Sequence, residues 1–597
     1  MAAFPAYPFN GAVSSFTHPL SRVCVATTTT TTTENSATGI RLFCPFRKNN
    51  VSYQTDSVKK MADEEADEEE SPLQKVTIHK DPSLRIDKYR ANQPSATSLH
   101  PATLVDHGGS IEAVAKVTIT TSTGPELTTQ LERGATIHRL LDAHPNITKV
   151  YGVRKGPTHF TLLLEKAACS LRDVIHPTTP ETRELRVKVI DRLGRREVIR
   201  QVFIGLAFIH SKTDEVKDKI SHRDVKPENL LIFIHERDGT ITIKFTDFDS
   251  AKQLEVDESV YITTNIFTEM YKDPNISRKK EDGESVIIDD YLAADIFAAA
   301  LVAYEVLVEE HMFKGRNHIS TLMKMQNNDR SNLVKKLLDE LAKNLLWVMT
   351  QPLPKKRIPM KVAAETPYFR SLAVHVQMIN EATRAFLGLR DSLKDRAIKE
   401  DFEWSFFMVF RTRWMDQPFV LLDILKGSNY DHRLSSAVRY ICYLLIHLGE
   451  HEEAVKAHFG KLLTVEELLV KIVECLPRIL IHLYWFTTQN FPQLACTKYF
   501  PVQCAEAYEE LMKSEKAKIP NMEALYAEVC PPLAVAAASP EKDNETAANS
   551  NFVSNQTGNQ IGSNVVANSI INVNIIGAGE LGDTGKTCVH WSQVLLR

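Results

Sequence analysis

Ser221-His222-Arg223-Asp224-Val225-Lys226-Pro227-Glu228-Asn229-Leu230-Leu231-Ile232, followed a short way on by Lys244-Phe245-Thr246-Asp247-Phe248-Asp249, is the stretch on which the reading of this chain turns. A phosphoryl transfer needs a carboxylate beside the attacking hydroxyl, a cation on the moving phosphoryl group and oxygen donors for Mg²⁺. One short loop bearing Asp224, Lys226 and Asn229, with a second carboxylate at Asp247 on the next hairpin, carries all of these.

The stretch is similar to the protein-kinase catalytic loop and its metal-binding motif. The resemblance implies an α+β two-lobed fold over residues 96–369, with ATP and Mg²⁺ as cofactors. It implies that Asp224 orients the substrate hydroxyl, Lys226 contacts the γ-phosphate, and Asn229 and Asp247 hold Mg²⁺. Short β-rich runs at 112–119, 149–153 and 160–164, succeeded by long helical runs, agree with a small β lobe before a helical one. Ala113-Val114-Ala115-Lys116 looks like the third-strand motif, so Lys116 is expected on the α- and β-phosphates. In the helix that follows, Glu132 is taken as the partner carboxylate of Lys116, although it stands a turn early and Gly134 or Ala135 fills the expected place. Three departures weaken the catalytic expectation. No GxGxxG precedes Lys116, only Gly108-Gly109; Asp-Phe-Gly is here Asp247-Phe248-Asp249; and Ala-Pro-Glu is unrecognisable near Tyr271-Lys272-Asp273-Pro274. Nucleotide binding is thus the safer expectation, and a pseudokinase stays open beside it.

Leu163-Leu164-Glu165-Lys166-Ala167-Ala168-Cys169-Ser170-Leu171, Asp295-Ile296-Phe297 and Thr366-Pro367-Tyr368-Phe369-Arg370-Ser371 resemble the inositol-requiring kinase/endoribonucleases of the unfolded-protein response. The Asp-Phe-Asp variant resembles ribonuclease L. The first of these stretches adds Glu165 to the nucleotide-binding set. Both families carry an all-α kinase-extension nuclease (KEN) domain after the kinase, which would occupy residues 370–500 here, with a short helical extension at 501–530. The resemblance implies metal-independent RNA cleavage by Tyr430, Arg439 and His447 or His451, near Lys426-Gly427, with the two histidines competing for one place. Arg439, Tyr443 and His447 are spaced i, i+4, i+8, which puts them on one helical face. A lone helical His is usually structural, so this assignment leans on the family context. The expected function is an ATP-dependent serine/threonine kinase joined to an endoribonuclease, working as a nucleotide-promoted homodimer on RNA and on protein or itself. The alternatives are a kinase with an inert helical extension and a scaffold with neither activity.

The remaining sequence bounds this picture. A net charge of −4 over 597 residues gives no global pull toward nucleic acid, so an RNA site has to be a local basic patch. Nine scattered cysteines without a CxxC argue against a disulfide framework or structural zinc, and for a reducing, cytoplasmic setting. The apolar run at 291–308 is interrupted by Asp295 and Glu305, a poor membrane span. Residues 1–95, with a Thr run at 27–33 and an acidic run at 63–70, and residues 531–597 read as disordered. The first sixty residues share with transit peptides an early lack of acidic residues, but Arg is sparse. Gly577-Ala578-Gly579-Glu580-Leu581-Gly582 is a formal dinucleotide fingerprint with too little chain after it for the required helix and strand.

Overall fold

The computed structural model describes residues 75–78, 97–106, 109–120, 125–156, 159–211, 219–235, 237–254, 269–390, 392–410, 413–425, 430–516 and 524. In chain order its elements are β1 (Lys75–Ile78), β2 (Thr97–Asp106), β3 (Gly109–Ile119), α1 (Pro125–Leu141), β4 (Val150–Lys155), β5 (His159–Glu165), β6 (Cys169–Ser170), α2 (Leu171–Ile175), α3 (Pro180–Arg186) and α4 (Arg195–His210). Then come β7 (Lys219–Ser221), β8 (Leu230–Ile234), β9 (Ile241–Phe245), β10 (Lys252–Leu254), α5 (Pro274–Glu281), α6 (Ile288–Val308), α7 (His318–Gln326), α8 (Ser331–Lys336), α9 (Glu340–Met349) and α10 (Met360–Ala363). The last group is α11 (Leu372–Leu387), α12 (Leu393–Phe410), α13 (Leu422–Leu425), α14 (Leu434–Ile446), α15 (Glu452–Phe459), α16 (Val465–Cys475), α17 (Ile479–Asn490) and α18 (Val502–Lys516).

The first lobe is an antiparallel five-stranded sheet in the order β1-β2-β3-β5-β4. Period-two alternation buries Ala102, Leu104, Ala113 and Ala115 together with Leu163 on one face. The other face is covered by α1, whose Leu131 and Ala135 pack on Val150, Phe160, Leu162 and Leu164. β1 lies within the segment the composition reads as disordered, and its backbone pairing with β2 is what orders it.

The second lobe is helical around α6, apolar on nearly its whole circumference and accordingly central in the fold. Its length and composition would suffice to cross a membrane, but its residues are mostly buried among neighbouring helices. The hairpin β8–β9 and the short pair β7–β10 lie where the two lobes meet.

After residue 370 the described chain is helical. One apolar core continues from α4, α6 and α9 into α11, α14 and α17 and on to α18. α18 is an integral part of this assembly rather than an appendage. Asn344 of α9 donates to the Cys504 carbonyl (3.0 Å), and Trp347 and Gln351 both donate to the Glu510 carboxylate (3.3 and 3.0 Å). Kinase-side and extension helices therefore share both apolar burial and buried polar partners, so they are fastened as one body.

Candidate active site

The loop between β7 and β8 is held from below by Asp295 of α6. This carboxylate, 1% exposed, accepts from the backbone N–H groups of His222 and Arg223 and from the Ser221 hydroxyl, each at 2.8 Å, and meets His210 Nε2 at 3.0 Å. Burial works to raise its pKa, but His210 and the hydrogen bonds outweigh this and hold it below the usual range. The charge on Asp295 is thereby fixed, and with it the backbone path of the loop. Arg223 takes a left-handed backbone conformation (φ 66°), a strained choice for a non-glycine residue that the surrounding hydrogen bonds impose.

Within the loop, Lys226 Nζ lies 2.6 Å from Asp224 Oδ2, and Asn229 Nδ2 donates to the same oxygen (2.8 Å) and to the Asp224 carbonyl (2.9 Å). These contacts leave the Asn229 amide oxygen as the atom able to ligate a cation. The loop is tied to the next hairpin by Thr246, whose N–H donates to the Asn229 carbonyl (3.1 Å) and whose carbonyl meets His222 Nε2 (3.0 Å). Asp247 is left-handed as well (φ 65°), and Phe248 is buried against the rings of His138 and His222. Burial pushes His138 down to about 3, so this ring is neutral and bonds the Thr148 carbonyl at 2.7 Å.

Lys116 on β3 reaches across to this hairpin, 2.6 Å from both Asp247 and Asp249. Burial opposes its charge, but the two carboxylates more than offset that and hold the ammonium firmly protonated. Burial likewise opposes the charge on Asp247, and Lys116 and then Lys226 overcome it, so Asp247 lies well below the ordinary carboxylate range. Asp249 is raised, by burial first and then by the neighbouring Asp247. The sequence-derived set Lys116, Asp224, Lys226, Asn229 and Asp247 is thus brought together in one cleft. An ionised carboxylate and an amide oxygen are hard donors suited to Mg²⁺.

Glu132 and Glu165 are placed differently from the expectation. Glu132 forms an ion pair with Lys155 of β4 and is not the partner of Lys116. Two residues along a helix amount to about 200°, so when Gly134 faces the 247–249 turn, Glu132 points away from it. A Cβ at Gly134 would lie 2.8 Å from the Phe248 carbonyl oxygen, which is why this position bears no side chain. Glu165 accepts from Lys244 Nζ (2.6 Å) and the Lys149 N–H (2.8 Å), joining β5 to β9. Its carboxylate thus acts as a brace in the segment connecting the lobes.

Sequence reasoning missed Asp273. Where Ala-Pro-Glu was sought, Asp273 makes a fully buried two-pronged pair with Arg357 (2.5 and 3.1 Å) and caps α5 through the Asn275 N–H. The Asp-Pro start of α5 signalled the cap, but nothing local signalled Arg357.

A model of the protein kinase domain matches residues 104–369. This region is a protein kinase domain. Among curated proteins, the chain is similar to a probable serine/threonine-protein kinase of Dictyostelium discoideum, 27% identical over 253 residues, covering 41% of this chain and 26% of the relative. It is also similar to CBL-interacting serine/threonine-protein kinase 7 of Arabidopsis thaliana, 26% identical over 239 residues, covering 39% of this chain and 48% of that kinase. The chain therefore spans about a quarter and about half of the length of these two relatives. The kinase match ends at residue 369, so the extension stands outside it, and the nuclease expectation draws nothing from these similarities.

In the extension, Lys426-Gly427 lies outside the described residues. The other expected residues gather along one half-exposed strip. The Arg439 guanidinium lies 5.2 Å from the centre of the Tyr430 ring; Tyr443 stacks on His447 (4.6 Å) and its hydroxyl meets His451 Nε2 (3.0 Å); His447 Nδ1 lies 2.8 Å from Glu450. α14 stops at Ile446, and His447 caps it, so the face expected to continue through His447 ends in a turn that brings His451 back.

Proposed function

We propose that this chain is a Mg·ATP-dependent serine/threonine protein kinase whose catalytic domain is fastened to a helical extension. The observation that carries the reading is the convergence of Lys116, Asp224, Lys226, Asn229 and Asp247 on one cleft, with the loop backbone set by Asp295. Asp224 is placed to orient the acceptor hydroxyl and take its proton, and Lys226 to neutralise charge on the phosphoryl group. Lys116 holds the nucleotide's inner phosphates. Asn229 and Asp247 would hold Mg²⁺, which when bound shields the phosphate charge. The test is a thermal-shift titration with Mg·ATP alongside transfer of labelled γ-phosphate to a generic basic protein and to the chain itself. A ligand that binds only the folded state at a hundred times its Kd stabilises by ~2.7 kcal/mol. Binding with transfer supports the reading; binding without transfer assigns a pseudokinase.

A second reading, an endoribonuclease built on the extension, has one observation in its favour: the strip of Tyr430, Arg439, Tyr443, His447 and His451. Two imidazole rings and a guanidinium would serve an attack by a ribose 2′-hydroxyl. In this reading a second copy of the chain would complete the phosphate-binding surface. Metal-independent cleavage of a stem-loop RNA, rising faster than linearly with protein concentration, is what it requires.

A further inference from the structure

In protein kinases the strand lysine is set by an ion pair with a carboxylate on the following helix, and movement of that helix switches activity. Here no described side chain of α1 offers such a carboxylate: Glu132 is engaged with Lys155, and Gly134 stands at the contact with the hairpin. The two departures that at first look damaging, glycine on the helix and aspartate in place of the motif glycine, meet each other in space. Gly134 lets the α1 backbone close onto Phe248 and Asp249, and Gln130 Nε2 donates to the Asp249 carbonyl at 3.0 Å. From that buttressed turn, the Asp249 carboxylate extends to Lys116 Nζ at 2.6 Å. We infer that Asp249 is the residue that positions Lys116 for nucleotide phosphate, doing from the metal-binding hairpin what a helix carboxylate otherwise does. This assignment rests on the kinase reading and deepens it.

Two consequences separate this arrangement from the usual one. The lysine and the metal-binding Asp247 are set by the same three-residue turn, so they are organised together rather than by two elements that can part. Through its described residues the helix contributes backbone packing and one amide, which support the turn without carrying charge to the lysine. Restoring glycine at position 249 should therefore impair the site, although it restores the family motif.

The experiment is calorimetric binding of Mg·ATP and, separately, of adenosine to the full chain and to Asp249→Asn, Asp249→Gly, Asp249→Glu, Lys116→Ala and the Lys116→Ala/Asp249→Asn double variant. A charge-assisted contact removed from the lysine should weaken Mg·ATP binding about tenfold in Asp249→Asn and Asp249→Gly. Adenosine has no phosphate for Lys116 to hold, so its affinity should not change. Asp249→Glu keeps the charge and should restore most of the loss. In the Lys116→Ala background the further loss from Asp249→Asn should be under about twofold, because the carboxylate then has nothing to position. Additive losses in the double variant, equal weakening of adenosine, or unchanged or tighter Mg·ATP binding by Asp249→Asn would each overturn the assignment while leaving the kinase reading intact. If the unaltered chain binds adenosine and Mg·ATP not at all, the kinase reading falls and this assignment with it.

Discussion

In the kinase cleft, Asp224 and Asn229 come from one loop whose backbone Asp295 of α6 sets, and Asp247 comes from the next hairpin, where Lys116 of β3 meets it, whereas on the extension Arg439, Tyr443, His447 and His451 lie on one helix and the turn that ends it and hold mostly one another. The first arrangement fixes charges that would not come together without the fold. The second consists of residues close in sequence, brought together by one helix and the turn that ends it. Convergence from separate elements is therefore the stronger mark of chemistry, and it is the cleft that has it.

The largest expected effect breaks the cleft without touching its shape. Asp224→Asn keeps the acceptor for Asn229 and is nearly isosteric, so Mg·ATP affinity should be retained while labelled-phosphate transfer falls by about 10²- to 10⁴-fold. Arg357→Ala should act on the fold instead. It leaves Asp273, which is fully buried, without its counter-charge, and the denaturant midpoint should report a loss of about 3–5 kcal/mol.

The legibility of these features in the sequence follows the same division. The catalytic loop, the metal carboxylate and Lys116 could be read because their roles depend on short spacings and on residue types with few other uses. Three of the five strands of the first-lobe sheet, and the helical character of residues 370–500, were legible from periodicity. The braces were not: Asp295 under the loop, Arg357 on Asp273, Asp249 on Lys116 and Asn344 on the Cys504 carbonyl join positions 72 to 160 residues apart. Periodicity and motif spacing carry no information at that range. Glu132 was misassigned for a related reason, since only the packing of Gly134 on the hairpin decides which side of α1 faces the lysine.

Acid sharpens the comparison, because three buried neutral histidines are divided between the regions: His138 in the cleft, His375 and His482 in the extension. Burial pushes each of them down to about 3 from an ordinary value of 6.5. Between these values the unfolded chain takes up protons that the folded chain refuses, so stability falls as pH drops from about 6.5 toward 3 and is unaffected by these groups above 6.5. Each should add up to about 1.4 kcal/mol per pH unit to that slope. His482→Gln and His375→Asn should flatten the acid limb in denaturant titrations, and the paired variant should flatten it further.

The smallest expected effect lies on the strip itself. His451 meets the Tyr443 hydroxyl at 3.0 Å at a half-exposed position, where water can replace the lost partner. His451→Ala should therefore cost under about 1 kcal/mol. Arg439 faces the Tyr430 ring across 5.2 Å, and Arg439→Ala should likewise leave the fold in place. Neither substitution reaches the cleft, so Mg·ATP affinity and phosphate transfer should equal those of the unaltered chain. A small stability change with unaltered phosphotransfer is what a solvated surface strip predicts. RNA cleavage in EDTA that both substitutions abolish would show instead that these neighbours form a second active site, and that one helix with its closing turn had been enough to build it.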